Sequence, residues 1–297
     1  MIVDPNEIKT GALHGYMLSS IAPRPIAFVS TVDKLGHPNL SPFSFFNAFG
    51  SNPPIVVFSP ARRVRDNTIK HTLENIYEVD ECVINVVNHA MVYQASLSST
   101  EYPKGVNEFM KAGFTEVPSL RVRPPRVKES PVQLECKVKQ VIETGMEGGA
   151  ANLVVCEILL MHIADEILDE NKRIDQHKID LVARMGQDWY CRASGPSLFE
   201  IPKPLATFGI GIDNLPEHIR NSKVLTGNHL GQLGNIEKMP GEAEIESFQQ
   251  SVKAIHILKE LRGNSDEKLS QLHFMAKTLL DQGDVKDAWE VLLLKID

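Results

Sequence analysis

Three arginines stand directly before a group of residues that commonly start helices. The run Arg62-Arg63-Val64-Arg65 is followed by Asp66-Asn67-Thr68. Apolar residues then recur at the spacing of one helix face: Ile69, Leu73 and Ile76. Guanidinium groups beside the free N–H groups of a helix N-terminus form an anion site, most naturally one for phosphate. The segment favours this interpretation over its alternative, a solvated basic loop with an ordinary cap.

A second segment mixes small polar and aromatic side chains. It reads Ser41-Pro42-Phe43-Ser44-Phe45-Phe46-Asn47, and Pro42 indicates an edge strand or a bulge. Strand alternation would place Ser41, Phe43 and Phe45 on one face. Such a face suits the edge of a flat heteroaromatic ligand. Taken alone, however, the segment is better explained as an aromatic core strand that contains two serines.

Arg24 lies between two prolines, in Ala22-Pro23-Arg24-Pro25, just before the first β-rich run. The prolines restrict the backbone on both sides, which would hold the guanidinium group at a fixed place. An ordinary loop arginine fits the same residues. Both interpretations stay open at this point.

The sequence carries no signature of a side-chain catalyst. It has no nucleophile elbow, no Walker loop and no HExxH helix. Four cysteines lack CxxC or metal-ligand spacing, which predicts buried reduced thiols and no metal site: Cys82, Cys136, Cys156 and Cys191. A phosphate site and an aromatic wall without catalytic side chains indicate a cofactor that carries the chemistry.

Composition limits the classes of protein that these residues can belong to. The 297 residues are 42% apolar and 23% charged, enough for one large domain or two modest ones. A net charge of −7 argues against an extended nucleic-acid surface. No apolar run approaches the roughly 18 residues of a membrane span, and Met1–Thr10 has no signal core. We therefore expect a cytoplasmic protein with neither membrane nor nucleic acid as a partner.

Two kinds of pattern follow each other along the chain. Up to about residue 200, β-branched runs predict strands: Ile26–Val32, Asn39–Phe46, Ile55–Ser59, Val83–Val87, Val132–Glu143 and Asn152–Asp165. Mostly antiparallel strands with intervening short helices favour a barrel-like β domain. Beyond, helical patterns predominate: Glu242–Arg262, Asp266–Gln282 and Val285–Leu294, with Ser265 or Asp266 as a candidate N-cap. We predict a domain of residues 1–200 and a mostly helical extension of residues 201–297.

Several of these segments resemble the flavin reductase-like, FMN-binding split-barrel family. The resemblance spans about residues 10 to 195, with the motifs in the family's order. The matching segments include Pro23–Thr31, Asn39–Asn47, Pro53-Pro54, Arg65–Thr68, Asn107-Glu108-Phe109, Ala112–Thr115, Ser130–Cys136 and Arg184–Tyr190. Relatives commonly read Lys-Asp-Thr in the phosphate segment; aligned on Asp66-Asn67-Thr68, this chain lacks the lysine, and a neighbouring arginine would replace its charge.

The resemblance implies a mainly β fold, an FMN-binding split β-barrel with flanking helices and the C-terminal helical extension. It implies a homodimer with FMN near the subunit interface. By motif match, the flavin and ribityl chain are lined by Arg24, Thr31, Ser41, Pro42, Phe43, Ser44 and Asn47. The phosphate is held by Arg65, Asn67 and Thr68, while Met185 and Trp189 approach the isoalloxazine.

The function that the resemblance implies is that of an NAD(P)H-dependent FMN reductase. NADH or NADPH would pass a hydride to the flavin, and the protein would supply positioning and electrostatics. A flavoredoxin-like carrier that keeps its FMN and exchanges electrons with a redox partner protein is one alternative. A non-catalytic split barrel whose helices form an interaction module is the other.

Overall fold

The computed structural model describes residues 1–201 and 208–296. The chain divides into two compact units, Met1–Phe199 and Glu200–Asp297. Residues 202–207, near the start of the predicted helical extension, and residue 297 lie outside the described residues. No helix in the described ranges is long and apolar enough to cross a bilayer.

The first unit is built on antiparallel strands. In chain order they are β1 (Ala27–Val32), β2 (Pro38–Phe43), β3 (Phe46–Ser51), β4 (Pro54–Phe58), β5 (Glu81–Val86), β6 (Glu116–Val117), β7 (Arg126–Val127), β8 (Val132–Glu143), β9 (Asn152–Ile163), β10 (Val182–Arg184) and β11 (Tyr190–Arg192). Seven of them form one sheet in the order β2-β1-β5-β8-β9-β4-β3. The pairs β6-β7 and β10-β11 form two small sheets. Five of the six predicted strands are confirmed, with shifts of at most two residues at their ends; the sixth, predicted over Asn39–Phe46, ends at Phe43, and β3 was not predicted.

Strand alternation divides the apolar residues of β1 and β2 between two cores. Ala27, Val29 and Phe43 pack into one core, whereas Phe28 and Leu40 pack into the other. Every residue of β1 is buried, because both faces of this strand are covered. Burial on both faces explains why the strand is a continuous run of small and apolar residues.

β2 is an edge strand of the seven-stranded sheet, as Pro42 predicted. It ends at Phe43, and the bend at Ser44 and Phe45 leads into β3, which starts at Phe46. The expectation that Phe45 continues the face of Ser41 and Phe43 is therefore wrong. Alternation holds only while the backbone stays extended.

Five helices flank the sheet: α1 (Thr10–Ser20), α2 (His71–Glu78), α3 (Val92–Leu97), α4 (Glu108–Ala112) and α5 (Gln176–Ile179). The sequence patterns did not predict α1, because it buries no residue and so shows no apolar face. α4 ends at Gly113, whose left-handed conformation, φ 69°, is typical of a helix C-terminus.

The predicted start of α2 is wrong by one turn. The helix begins at His71, with Lys70 at the N-cap position. The Asp66 carboxylate instead accepts hydrogen bonds from the backbone N–H and the hydroxyl of Thr68 at 3.0 and 2.6 Å. Asn67 has a φ of 58°, which ends any helical geometry there. Asp66–Thr68 is consequently a turn that precedes the helix, and it offers no helix N-terminus.

The cysteines far apart in sequence meet in the core of the sheet. Cys82, Cys136 and Cys156 are fully buried, and the sulfurs of Cys82 and Cys156 lie 3.8 Å apart. The neighbouring thiols of Cys136 and Cys156, together with burial, raise the pKa of Cys82. Cys191 is only half-buried, so the prediction of burial is wrong for this residue.

The second unit is helical in its described part: α6 (Glu217–Arg220), α7 (Gly227–Gly234), α8 (Glu242–Gln249), α9 (Val252–Glu260), α10 (Ser265–Asp281) and α11 (Val285–Leu292). The single helix predicted over 242–262 is two helices, and the Ser251 hydroxyl caps the second by accepting from the Ala254 N–H. Asn264, rather than Ser265 or Asp266, is the N-cap of α10. Leu272, Leu280 and Trp289 are buried in the core of this unit.

Candidate functional site

A polar pocket lies in the first unit between β2, the start of α2 and the segment after α3. We call it the basic pocket. Its lining residues are Asn39, Ser41, Arg63, Lys70, His71, Thr72, Ser98, Ser99, Thr100, Glu101, Tyr102 and Glu108. The walls are rich in hydroxyl groups and carry two cations. Such a donor set suits a phosphate group.

The chain before α2 is held in place by Asn67. Arg62 Nε donates to the Asn67 side-chain oxygen at 2.7 Å, and Arg62 Nη2 donates to its backbone carbonyl at 2.9 Å. The Asn67 amide donates in turn to the carbonyl of Met146, in the β8–β9 turn, at 2.9 Å. The side chain predicted to bind phosphate is thus directed at Arg62 and Met146.

Three cations of this region converge on the carboxylate of Glu101. Arg63 Nε lies 2.9 Å from Glu101 Oε1, and Lys70 Nζ lies 3.8 Å from the same oxygen. Arg65 contacts Glu101 Oε2 and also lies 3.0 Å from Asp66. Arg63, Lys70 and Glu101 line the basic pocket, and Arg65 adds a third positive charge through its contact with Glu101.

The pKa shifts reflect this concentration of positive charge. Burial, and then the charge of Arg63, lower the pKa of Lys70. The hydrogen bond from Arg63, with that of Arg65, lowers the pKa of Glu101 in spite of its partial desolvation. An anion placed here is held in its charged form.

The hydroxyl of Thr68 joins the turn at Asp66–Thr68 to Arg63, which lines the basic pocket. The Thr68 hydroxyl donates to Asp66 and accepts from Arg63 Nη1 at 2.7 Å. Arg63 Nη1 also donates to the carbonyl of Ile69 at 2.7 Å. Thr68 thereby orients Arg63, one of the three arginines that the sequence placed at the candidate anion site.

Sequence reasoning missed Lys70 and Thr72. They flank the true start of α2 as Lys70-His71-Thr72, which has the Lys-x-Thr spacing of the Lys-Asp-Thr pattern in relatives. The Thr72 hydroxyl donates to Asn39 at 2.8 Å and ties α2 to β2. Aligning the motif on the lysine, rather than on the aspartate at residue 66, would have found it. The motif's lysine, which the alignment on Asp66 did not find, corresponds to Lys70.

Arg24 is buried, and its guanidinium group is used by the protein itself. It donates to the carbonyls of Leu18, Ile21 and Met185, the last two at 2.9 Å, and its Nε lies 3.4 Å from the Ser44 hydroxyl. Burial, and then the charge of Arg184, lower its pKa. Four of its five N–H groups are engaged in these contacts. The fixed guanidinium predicted from the two prolines therefore joins α1, the Ser44 bend and the segment before β11.

Met185 and Trp189 line an apolar groove between α1 and the β10–β11 turn, which we call the Trp189 groove. The other lining residues are Ser19, Gly186, Gln187, Tyr190 and Cys191. Trp189 is 72% exposed, so its ring is available to a ligand or a partner surface. A Cβ at Gly186 would lie 3.0 Å from Ser19 Cα, and glycine therefore permits the close approach of α1.

The remaining predicted residues are distributed among other surroundings. Thr31 is fully buried and accepts from the Asn75 amide at 3.1 Å. Phe43 packs against Phe58 in the core, with ring centroids 5.5 Å apart. Pro42 is half-buried on the edge strand, and Asn47 is exposed on β3. Ser41 alone of the predicted flavin-lining residues reaches the basic pocket.

The family model for the flavin reductase like domain matches residues 18–178. The chain therefore belongs to the flavin reductase-like family, as the motifs predicted. It is 37% identical over 189 residues to an uncharacterized protein of Aquifex aeolicus, covering 64% of this chain and 94% of the relative.

Solved structures agree on the fold. Nitrilotriacetate monooxygenase component B from Bacillus cereus is 27% identical, with a TM-score of 0.63 over 68% of this chain and 98% of its own. A Pseudomonas fluorescens 2-nitrobenzoate 2-nitroreductase is 26% identical, with a TM-score of 0.60 over 70% and 100%. A Shewanella frigidimarina protein with a split barrel domain is 28% identical, with a TM-score of 0.58 over 68% and 99%. The family and these neighbours support a flavin-binding oxidoreductase.

Proposed function

We propose that this protein binds FMN through the phosphate group in the basic pocket and reduces it with NADH or NADPH. The proposal rests on the contacts of Arg63, Arg65 and Lys70 with a single carboxylate, Glu101, which lies in the wall of a hydroxyl-lined pocket. A phosphate ester presents more charge and one more oxygen than that carboxylate. Bound flavin would supply the redox chemistry by accepting a hydride from the nicotinamide.

The donors of the basic pocket fit the phosphate of FMN. Lys70 is a compact cation, and its side chain is 30% exposed toward the pocket. Arg63 is oriented by Thr68 and by the carbonyl of Ile69. Ser41 adds a half-buried hydroxyl from the edge strand. Charged donors together with hydroxyl groups are the usual partners of a phosphate.

For the isoalloxazine we propose the surface that runs from the Ser44 bend toward the Trp189 groove. Arg24 acts there as a positioning residue, because its hydrogen bonds join the bend to the carbonyl of Met185. The exposed ring of Trp189 and the side chain of Met185 would cover the flavin. No side-chain acid or base is needed for hydride transfer to a flavin.

We further propose that the seven-stranded sheet is a split barrel and that the protein is a homodimer. Leu159, Met161 and Ile163 of β9 are 44%, 49% and 39% exposed and alternate along one face of the strand. A row of apolar side chains on a long strand is better buried against a second copy than left in water. Size measurement in solution tests this point directly.

The first experiment is flavin binding followed by turnover. Protein loaded with FMN and desalted is expected to keep a flavin absorbance spectrum and to oxidise NADH or NADPH. Retained flavin with only slow nucleotide oxidation would favour the flavoredoxin-like electron carrier. No flavin binding at micromolar concentration would refute the proposal and favour a non-catalytic interaction protein.

Lys70→Ala tests the phosphate contact. Loss of one charged hydrogen bond is expected to weaken FMN binding about 10- to 100-fold. Riboflavin lacks the phosphate, so its affinity should not change. Lys104→Ala is the matched control, because Lys104 is exposed and pairs with Glu74 at 2.8 Å outside the pocket. Equal losses for FMN and riboflavin would contradict a phosphate contact at Lys70.

A further inference from the structure

The basic pocket contains a carboxylate at the place where its cations converge. Arg63 and Lys70 lie within 3.8 Å of Glu101 Oε1, and Arg65 contacts Glu101 Oε2. An oxygen anion surrounded by cations is the arrangement that a bound phosphate would have. Glu101 thus has the geometry of a ligand to this pocket.

The Glu101 side chain is on a segment that can release it. Residues 98–100 just after α3 bond back to that helix: the hydroxyls of Ser98, Ser99 and Thr100 donate to backbone carbonyls at 2.6–2.8 Å. These bonds hold the backbone but do not involve Glu101. The Glu101 side chain is 36% exposed, so it has open solvent into which it can rotate. Rotation of the Glu101 side chain breaks none of these three hydrogen bonds.

We propose that Glu101 is an internal competitor for the phosphate site of this protein. This inference depends on the proposed FMN site in the basic pocket. Without flavin, the Glu101 carboxylate keeps the three cations together; on binding, the phosphate of FMN displaces it. Glu101 therefore lowers the affinity for FMN, and it leaves the affinity for riboflavin unchanged.

Charge and exposure explain why the exchange can proceed. A phosphate monoester carries about −1.5 to −2 charges and three acceptor oxygens, whereas Glu101 offers one charge and two oxygens. An ion pair with an exposed partner contributes only modest stability, so its rupture does not prevent phosphate binding. Competition of this size weakens FMN binding by about two- to fivefold. It also speeds flavin release, as suits an enzyme whose FMN is an exchangeable substrate.

Glu101→Gln tests the proposal by a direct binding titration. The amide keeps the size of the side chain and removes its charge. FMN is expected to bind about two- to fivefold more tightly to Glu101→Gln than to the wild type, by flavin fluorescence. Riboflavin should bind both proteins equally. Glu74→Gln is the matched control, because Glu74 is similarly exposed and pairs with Lys104 away from the pocket.

Each outcome decides between defined alternatives. Unchanged FMN affinity in Glu101→Gln would overturn the inference while the proposed function stands. Weaker FMN binding would overturn it too, and would make Glu101 a residue that positions Arg63 and Lys70 for the phosphate. A wild-type protein that binds FMN no more tightly than riboflavin would instead refute the phosphate site itself. A thermal shift supplies a second readout: FMN should stabilise Glu101→Gln more than the wild type.

Discussion

Arg24 and Arg63 were both candidates for a flavin site, and their surroundings differ in one decisive respect. Arg24 is 5% exposed and donates mainly to backbone carbonyls on two separate segments. Arg63 also has one main-chain partner, the carbonyl of Ile69, but its Nε donates to a carboxylate on a side chain that is 36% exposed. Backbone carbonyls cannot leave their places, whereas the Glu101 side chain can rotate away. Arg24 therefore holds segments of the fold together, and we call it a frame residue, whereas Arg63 is available to a ligand.

The comparison shows how an arginine's partners indicate its role. A guanidinium whose donors are taken by main-chain oxygens can bind a ligand only if the fold opens. One whose partner is a partly exposed carboxylate can exchange that partner for phosphate at small cost. Three mutational or pH experiments test this distinction.

Arg24→Ala should have the largest effect. It leaves the carbonyls of Leu18, Ile21 and Met185 without their donors and removes a buried side chain. We expect a loss of about 3 kcal/mol in the free energy of unfolding, measured by chemical denaturation. The ratio of FMN to riboflavin affinity should stay as in the wild type.

Arg65→Ala is the control for Arg24, because the Arg65 side chain is 68% exposed and contacts only side chains in the structure. Its unfolding midpoint should remain close to that of the wild type. Equal midpoints for Arg24→Ala and Arg65→Ala would contradict the conclusion that the main-chain hydrogen bonds of Arg24 stabilise the fold. A specific loss of FMN over riboflavin in Arg24→Ala would move Arg24 into the phosphate site.

Asn67→Gly tests whether the Asn67 side chain stabilises the fold or binds the phosphate. Glycine accepts the left-handed backbone of this position, so the change removes only the side-chain bonds to Arg62 and Met146. We expect a loss of about 1–2 kcal/mol in unfolding free energy, with FMN and riboflavin affected alike. A selective loss of FMN binding would show that Asn67 binds the phosphate, as the motif match predicted.

The pH dependence of stability should show the smallest effect. The hydrogen bond from Arg63 lowers the pKa of Glu101 from its ordinary value of 4.5. A carboxyl with a lowered pKa in the folded state stabilises the protein above pH 4.5, and this contribution disappears as the pH falls through the folded value. The wild type should exceed Glu101→Gln by about 0.5 kcal/mol near neutral pH.

That difference should shrink in denaturation series carried below pH 4.5. A difference that persists at low pH would mean that Glu101 stabilises the fold by packing rather than by charge. The Glu101 side chain would then be a fixed part of the fold, as Arg24 is, and the two regions would not differ in the way proposed.

Local patterns predicted most strands of the sheet. The run from Ala27 to Val32 and the long strands β8 and β9 are recognisable because burial on a pleated surface selects β-branched and apolar residues. α1 was missed for the complementary reason: it buries no residue and contains no apolar stripe. The start of α2 was misplaced because Asp66 and Thr68 bond to each other, which residue types alone do not reveal.

The candidate site was predicted only in part. Ser41 and the arginine run were recognised, since small hydroxyl residues and clustered cations stand out in a sequence. Lys70 was missed because the phosphate motif was aligned on Asp66 rather than on the Lys-x-Thr spacing of Lys70-His71-Thr72. Glu101 could not be found at all, because it lies 31 positions after Lys70 and only the fold brings the segment after α3 to the start of α2.

The sequence by itself determined the family, the strand pattern and the presence of concentrated positive charge before α2, because these depend on residue type, spacing and order. Only the tertiary structure decided which arginine is fixed and which can exchange its partner. That difference depends on whether an oxygen nearby in space belongs to the main chain or to a mobile side chain. The fold decides which oxygens lie near each arginine, and these can be far away in sequence, as the carbonyl of Met185 is from Arg24.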